Sequence, residues 1–375
     1  MTAVPLEAGI ALSIVVMSHP KRAAQAARIA QAMAPATVVT DPDLTGTPSP
    51  LRTAVHAWRA HAPEATHHLV LQDDVDADRE ELLSAVRRGI ALFPDAVLGF
   101  FAHLDSLNGA MLRLAAAAGA HWTEAVSSEY FPCQAVVLPV RHIAALCEFV
   151  EPVRAFRRED DEVLSDFLSM YRIPGILSVP SLVDHIDSGS LTGNAHQDGA
   201  LRGTFAPRGH GEILAGMVDL LPFFSKGVGH CMAQGADGAW RRLHWIEAMA
   251  GLGIDPRTVD DELTAHLAVR TATGDRPTLP TGFLTSLWAT AYLIGFLAAS
   301  GRVPLKPLGE SPGAVRADLL AAAWRSLAHA GLKGTSLDRD LLVGAEPFVM
   351  ELTDAAHAAG RAAGHRQHLM EGALA

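Results

Sequence analysis

His68-Leu69-Val70-Leu71-Gln72-Asp73-Asp74-Val75-Asp76-Ala77-Asp78 is the stretch that decides how this chain is read. An apolar run that stops in consecutive carboxylates reads as a buried strand whose end holds like charges side by side. Left alone, such a cluster raises its own pKa values. A divalent cation removes the conflict, and Mg²⁺ or Mn²⁺ prefers one or two carboxylates together with substrate phosphate oxygens. Asp73 and Asp74, at the strand end, are the metal candidates. Asp76 and Asp78 have a second reading as the cap of a helix over Arg79–Leu92. Because Asp74-Val75-Asp76 is itself a literal Asp-x-Asp, the register of the acidic site stays open between Asp73/Asp74 and Asp74/Asp76.

Working outward, short apolar runs alternate with amphipathic segments through the first ~205 residues. Strands are expected at Ala11–Met17, Ala36–Thr40, His68–Leu71, Ala96–Phe101, Ala135–Leu138 and Gly175–Val179. Helices are expected at Arg22–Met33, Thr53–Ala60, Arg79–Leu92, Arg141–Val150 and from about Arg157 to Tyr171. This order implies an α/β domain with a mostly parallel sheet covered by helices on both faces. Ligands bind such sheets beyond the carboxyl ends of the strands. There the sequence places Ser18-His19-Pro20, Asp41-Pro42-Asp43 and Gln72-Asp73-Asp74.

After about residue 208 the composition shifts to Ala- and Leu-rich segments separated by Gly and Pro. An all-α second domain, 209–375, follows from the helical patterns at Glu212–Leu221, Gly238–Ala250, Val259–Val269, Phe283–Ala299, Ala314–Ala330 and Glu346–Gly360. Gly227–Cys231 reads as a loop. Phe283–Ala299 carries no charged residue, but its Thr, Ser and Gly content favours a buried helix over a membrane span.

The 375 residues are 49% hydrophobic and 19% charged, which excludes a disordered chain and suggests two domains. A net charge of −11 argues against a nucleic-acid binder. Three widely spaced cysteines without a CxxC pair build neither a disulfide framework nor a zinc site. With no basic n-region before the first strand, a soluble cytoplasmic protein without an integral membrane span is expected.

Strand, Leu-Gln-Asp-Asp-Val and helix, with Ser18-His19-Pro20-Lys21-Arg22 after the first strand, resemble a GT-A-fold glycosyltransferase over residues 10–195. The block is similar to the Leu-Glu-Asp-Asp of the family-25-like enzymes, with Gln72 standing where that family often has Glu. The resemblance implies a catalytic domain over 1–208 that takes a nucleotide-sugar donor, most readily UDP-linked, and a glycan, peptide or small-molecule acceptor. It implies Mn²⁺ or Mg²⁺ on Asp74, with Asp76 and His185 as further ligands. Ser18, His19, Arg22, Asp41, Asp43, Asp73 and Ser190 would contact the nucleotide or its diphosphate. Glu159-Asp160-Asp161-Glu162, at a helix start, is similar to the acidic motif of inverting members, so Asp161 or Asp160 would be the base. The helical domain would bind acceptor, a partner or a second copy. Two rivals remain. A sugar nucleotidyltransferase would want a Gly-rich basic loop after the first strand, which Ser18–Arg22 lacks. A catalytically silent, transferase-like binding protein is encouraged by Gln72.

Overall fold

The computed structural model describes residues 3–7, 9–45, 47–153, 155–157, 159–186, 203–204, 214–215, 218–235, 237–273, 279–307, 317–333, 335 and 339–374. The chain divides into two compact units. One comprises residues 1–103 and 124–210, the other 104–123 and 211–375.

In the first unit the elements are β1 (Val4–Glu7), β2 (Ile10–Ser18), α1 (Ala23–Ala32), β3 (Thr37–Thr40), α2 (Pro50–Arg59), β4 (His67–Gln72), β5 (Val75–Ala77), α3 (Arg79–Leu92) and β6 (Val97–Gly99). The chain then passes through α4 (Leu107–Ala117), which belongs to the second unit, and β7 (Trp122–Glu124). It continues with β8 (Ala135–Pro139), α5 (Val140–Val150), α6 (Asp160–Tyr171), β9 (Gly175–Ser178) and β10 (Val183–His185). The principal sheet has the order β1-β2-β4-β8-β6-β9-β7, with β3 also on β2. β2 runs parallel to β3 and β4, and β6 runs parallel to β9. β8 is antiparallel to both β4 and β6, so the sheet is mixed. The centres of β2, β4 and β8 are buried without alternation, as expected of strands with both faces covered. The class is α/β.

His68, inside β4, belongs to this core. It is fully buried, its Nδ1 lies 3.1 Å from Ser13 Oγ and its Nε2 2.9 Å from the Ala57 carbonyl. Burial pushes its pKa down to about 4, so it is a neutral structural histidine near the strand start.

The second unit corrects the expectation of an all-helical domain. β11 (Leu214–Ala215) is followed by a meander of β12 (Leu220–Ser225), β13 (Val228–Gln234) and β14 (Trp240–His244). Helices were expected at Glu212–Leu221 and from Gly238, and a loop at Gly227–Cys231. Instead Ser225 pairs with Val228 across a two-residue turn, Lys226-Gly227. Both turn residues have positive φ, 52° and 72°, as a type I′ hairpin demands. Helix resumes with α7 (Trp245–Gly251), α8 (Arg257–Thr273) and α9 (Thr281–Ala299). After β15 (Lys306–Pro307), which pairs with β11, come α10 (Ala317–Leu332) and α11 (Arg339–Leu374).

α9 is long and apolar enough to cross a membrane, yet 78% of its most apolar window is buried within the fold. Its neighbour α11 approaches closely because glycine stands at the crossings. A Cβ on Gly295 would lie 2.2 Å from the His357 carbonyl oxygen. One on Gly360 would lie 2.0 Å from the Tyr292 oxygen, and one on Gly364 2.3 Å from the Phe296 oxygen. Only hydrogen fits there. α4 is buried on every side from Asn108 to Ala117, which marks it as a central helix of this unit.

Candidate functional site

Because β2, β3 and β4 are parallel, Ser18, Thr40 and Gln72 end at one edge of the sheet. β8 starts at the same edge, where the Gln72 N–H donates to the Gln134 carbonyl at 3.0 Å. Beyond Gln72 the chain turns, and Asp73 and Asp74 are both buried, 7% and 6% exposed. Two adjacent carboxylates at that depth need compensation, and the loop after β2 supplies it. The His19 N–H donates to Asp73 Oδ2 at 2.7 Å. Arg22, closing a 3₁₀ turn over Pro20–Arg22, donates from Nη1 to Asp73 Oδ1 at 3.1 Å, and the same nitrogen is paired with Asp74 Oδ2. Ser18 is buried and donates its hydroxyl to the His19 carbonyl, which fixes the start of this loop.

His185 arrives from the other direction. β5 and β10 form an antiparallel ribbon, pairing Val75 with His185, Asp76 with Asp184 and Ala77 with Val183. The Ile186 N–H donates to the Asp74 carbonyl at 2.6 Å. This register brings His185 Nε2 to 3.1 Å from Asp74 Oδ2. Among the described residues, the buried Asp74 Oδ1 and His185 Nδ1 have no hydrogen-bond partner. Asp184 Oδ1 accepts the N–H groups of His185 and Gly203, a role in shaping the turn.

The environments split the two aspartates. Burial raises the Asp73 pKa; the neighbouring Asp74 charge adds to this, and the His19 and Arg22 bonds only partly oppose it. Burial also works against ionised Asp74, but its contacts with His185 and Arg22 outweigh it, so the Asp74 pKa is lowered.

The acidic start of α6 lies at the same sheet edge. Gln72 Nε2 donates to Asp160 Oδ2 at 3.5 Å, and the Phe131 N–H donates to the Asp161 carbonyl at 3.3 Å. Asp160 is 4% exposed and Asp161 half-buried. Three carboxylates in a first turn suit the helix dipole, but burial dominates. Desolvation first, then the Asp161 charge, raises the Asp160 pKa, and desolvation likewise raises that of Asp161. Gln72 thus joins the Asp73–Asp74 pair to a buried acid.

The remaining sequence candidates are placed differently. Asp41 is buried and held in a two-pronged pair, Arg52 Nε to Oδ1 at 2.7 Å and Nη2 to Oδ2 at 2.8 Å. Burial opposes its ionisation, yet Arg52 and the Asp43 N–H lower its pKa overall. Asp43 is about half exposed and lies 3.9 Å from Arg52. Asp41 therefore anchors the loop leading to α2, whose N-cap is Ser49. Asp76 is exposed, on the ribbon, while Asp78 caps α3 by accepting the Glu81 N–H at 2.9 Å. Ser190 lies outside the described residues. Sequence reasoning missed Arg52, whose only signal was a basic residue on the face of a helix following the acidic loop. It also missed the Gln72–Asp160 link, which joins residues 88 positions apart.

Among the described residues, no group of three or more His, Cys, Asp or Glu side chains gathers in a way that could hold a metal ion. The cluster does offer two donors of suitable chemistry: the open oxygen of Asp74 and the imidazole of His185. A hard divalent cation bound through substrate phosphates needs no more than that from the protein. No family model matches the chain, and no curated protein matches it in sequence.

Proposed function

We propose that the first unit is a metal-dependent glycosyltransferase. It would move a sugar from a nucleotide donor, most readily a UDP-sugar, to an acceptor hydroxyl with inversion at the anomeric carbon. The observation that carries this reading is the convergence on one sheet edge of Arg22, Asp73, Asp74 and His185, joined through Gln72 to a buried carboxyl at Asp160. Asp74 and His185 would hold Mn²⁺ or Mg²⁺, which when bound supplies charge neutralisation to a departing diphosphate. Asp73 fixes the loop after β2 through the His19 N–H. Arg22, whose guanidinium matches phosphate geometry, would pair with the diphosphate.

Asp160 or Asp161 takes the proton of the acceptor hydroxyl as its oxygen forms a bond to the anomeric carbon. The bond from that carbon to the diphosphate oxygen breaks, and the nucleoside diphosphate leaves with the electron pair. A raised carboxyl pKa suits this role, because a base whose pKa approaches the operating pH gains proton-transfer drive while remaining ionised in part. Asp74→Ala should abolish Mn²⁺-dependent hydrolysis across a panel of UDP- and GDP-sugars; turnover equal to the unaltered chain rejects the assignment.

A second reading, a catalytically silent binding protein of the same architecture, has one observation in its favour. Arg22 already neutralises both carboxylates. Nucleotide binding that is indifferent to Mn²⁺, with no hydrolysis or transfer, would favour it.

A further inference from the structure

The first unit contains two arginine–carboxylate pairs of different geometry. Arg52 grips Asp41 with its Nε and Nη2 on the two oxygens of one carboxylate, the bidentate fork of a fixed structural pair. Arg22 instead spreads one nitrogen, Nη1, between two carboxylates, standing 3.1 Å from Asp73 Oδ1 and also paired with Asp74 Oδ2. In that arrangement the guanidinium acts as a point charge between anions, the role a small cation plays. A second, independent observation points to a ligand in the same place. Asp74 is nine-tenths buried, and among the described residues its Oδ1 has no hydrogen-bond partner. A buried carboxylate oxygen left open is costly, and a hard cation would satisfy it.

We propose that Arg22 is the exchangeable counter-ion of the Asp73–Asp74 pair: it neutralises the carboxylates until a divalent cation arrives, then yields them and turns to the diphosphate of the donor. The proposal rests on the transferase reading of this site and names the device that would order its loading. Arg22 sits in the short turn between β2 and α1, and the exchange moves its side chain rather than either element. The released fork is then presented to phosphate, which it binds better than a shared monodentate contact. By linkage, a diphosphate that holds Arg22 away from the carboxylates strengthens cation binding, and the cation strengthens diphosphate binding equally.

The test measures Mn²⁺ alone, by the loss of its free electron-paramagnetic signal, on the full chain and on Arg22→Gln and Arg22→Lys. Arg22→Gln removes the competitor and should bind Mn²⁺ about 10- to 100-fold more tightly, the equivalent of one charge-assisted hydrogen bond. Arg22→Lys keeps the charge and should stay near the unaltered chain. Equal or weaker Mn²⁺ binding by Arg22→Gln overturns the exchange, as does an absence of binding in every variant. If Arg22→Gln does not fold, Mg²⁺ is titrated into the unaltered chain labelled with ¹⁵N-arginine. The Arg22 side-chain signal, assigned by its loss in Arg22→Lys, must shift with occupancy; a signal fixed through saturation overturns the proposal. Failure of the transferase reading shows separately. In that case the unaltered chain binds no nucleoside diphosphate with Mn²⁺ present, while the cation exchange still occurs.

Discussion

Replacing Asp160 with Asn keeps the shape of the side chain and its contact with Gln72 but removes a charge from the interior. Asp160 is 4% exposed, and its carboxyl pKa is raised by desolvation and then by the Asp161 charge. In the unfolded chain the same carboxyl titrates in its ordinary range. A carboxyl raised by folding contributes stability that is fully present below its unfolded pKa and is lost as pH rises through its folded pKa. The unaltered first unit should therefore lose stability between pH 4 and pH 8 through this group, and the Asn variant should lose less, through Asp161 alone. A tenfold difference in acidity between the folded and unfolded chain corresponds to about 1.4 kcal/mol. Part of the gain is cancelled because Asn accepts fewer backbone N–H bonds, so about 1–2 kcal/mol is expected at pH 8. For a unit of this size that is a rise in Tm of about 3–8 °C at pH 8, shrinking to nothing near pH 4. Differential scanning calorimetry of both chains across this range is the assay. With Asp160 as the base the same variant should lose about 10²- to 10⁴-fold in sugar transfer; with Asp161 as the base that loss falls on Asp161→Asn instead. A residue that costs the fold stability while serving the reaction is the pattern expected of an active site. An Asn variant that is no more stable at pH 8, or that follows the unaltered pH profile, would refute the claim of a buried, destabilising carboxyl and remove the ground for its role as base.

Other substitutions separate structure from function. Arg52→Ala leaves the Asp41 carboxylate buried without its fork and should cost about 3 kcal/mol in urea denaturation, more than a surface pair would. Gly360→Ala places a methyl group against the Tyr292 carbonyl oxygen and should destabilise the second unit by about 1–3 kcal/mol, with Mn²⁺ binding by the first unit unchanged. Asp78→Ala removes the α3 cap at a cost of about 1 kcal/mol and should leave cation and nucleotide binding untouched, in contrast to Asp74→Ala.

The β-α order of the first unit was legible because its strands are buried on both faces and announce themselves as unbroken apolar runs, such as Leu69-Val70-Leu71. The carboxylates at the end of β4 were legible for the same reason: a strand that halts in Asp-Asp marks the sheet edge. The antiparallel setting of β8 was not, since Ala135-Val136-Val137-Leu138 reads alike in either direction. The β5–β10 ribbon escaped notice because three-residue strands carry no period, yet it is what sets His185 on Asp74. Asp41 has a partner that its place in the sequence did not reveal, for a physical reason. A carboxylate after a parallel strand is as well placed for an arginine on the next helix as for a ligand, and Arg52 lies 11 residues away. In the second unit, Trp240–His244 carries Arg241 and Arg242 outward, and Val228–Gln234 includes Gly, His and Ala. Neither has the β-branched alternation that distinguishes a strand from an Ala-rich helix. The hairpin was written instead in Lys226-Gly227, where Lys rather than Asn or Asp occupies the first left-handed position.

The central claim, that the Asp73–Asp74 edge binds a nucleotide sugar through a divalent cation, is tested most directly by calorimetric titration. UDP, GDP and the corresponding triphosphates are titrated with and without Mn²⁺ into the unaltered chain and into Asp74→Ala. The account predicts that a nucleoside diphosphate binds only with Mn²⁺ and only to the unaltered chain. Binding that is indifferent to Mn²⁺ or survives the loss of Asp74, a preference for triphosphates, or no binding at all would contradict it.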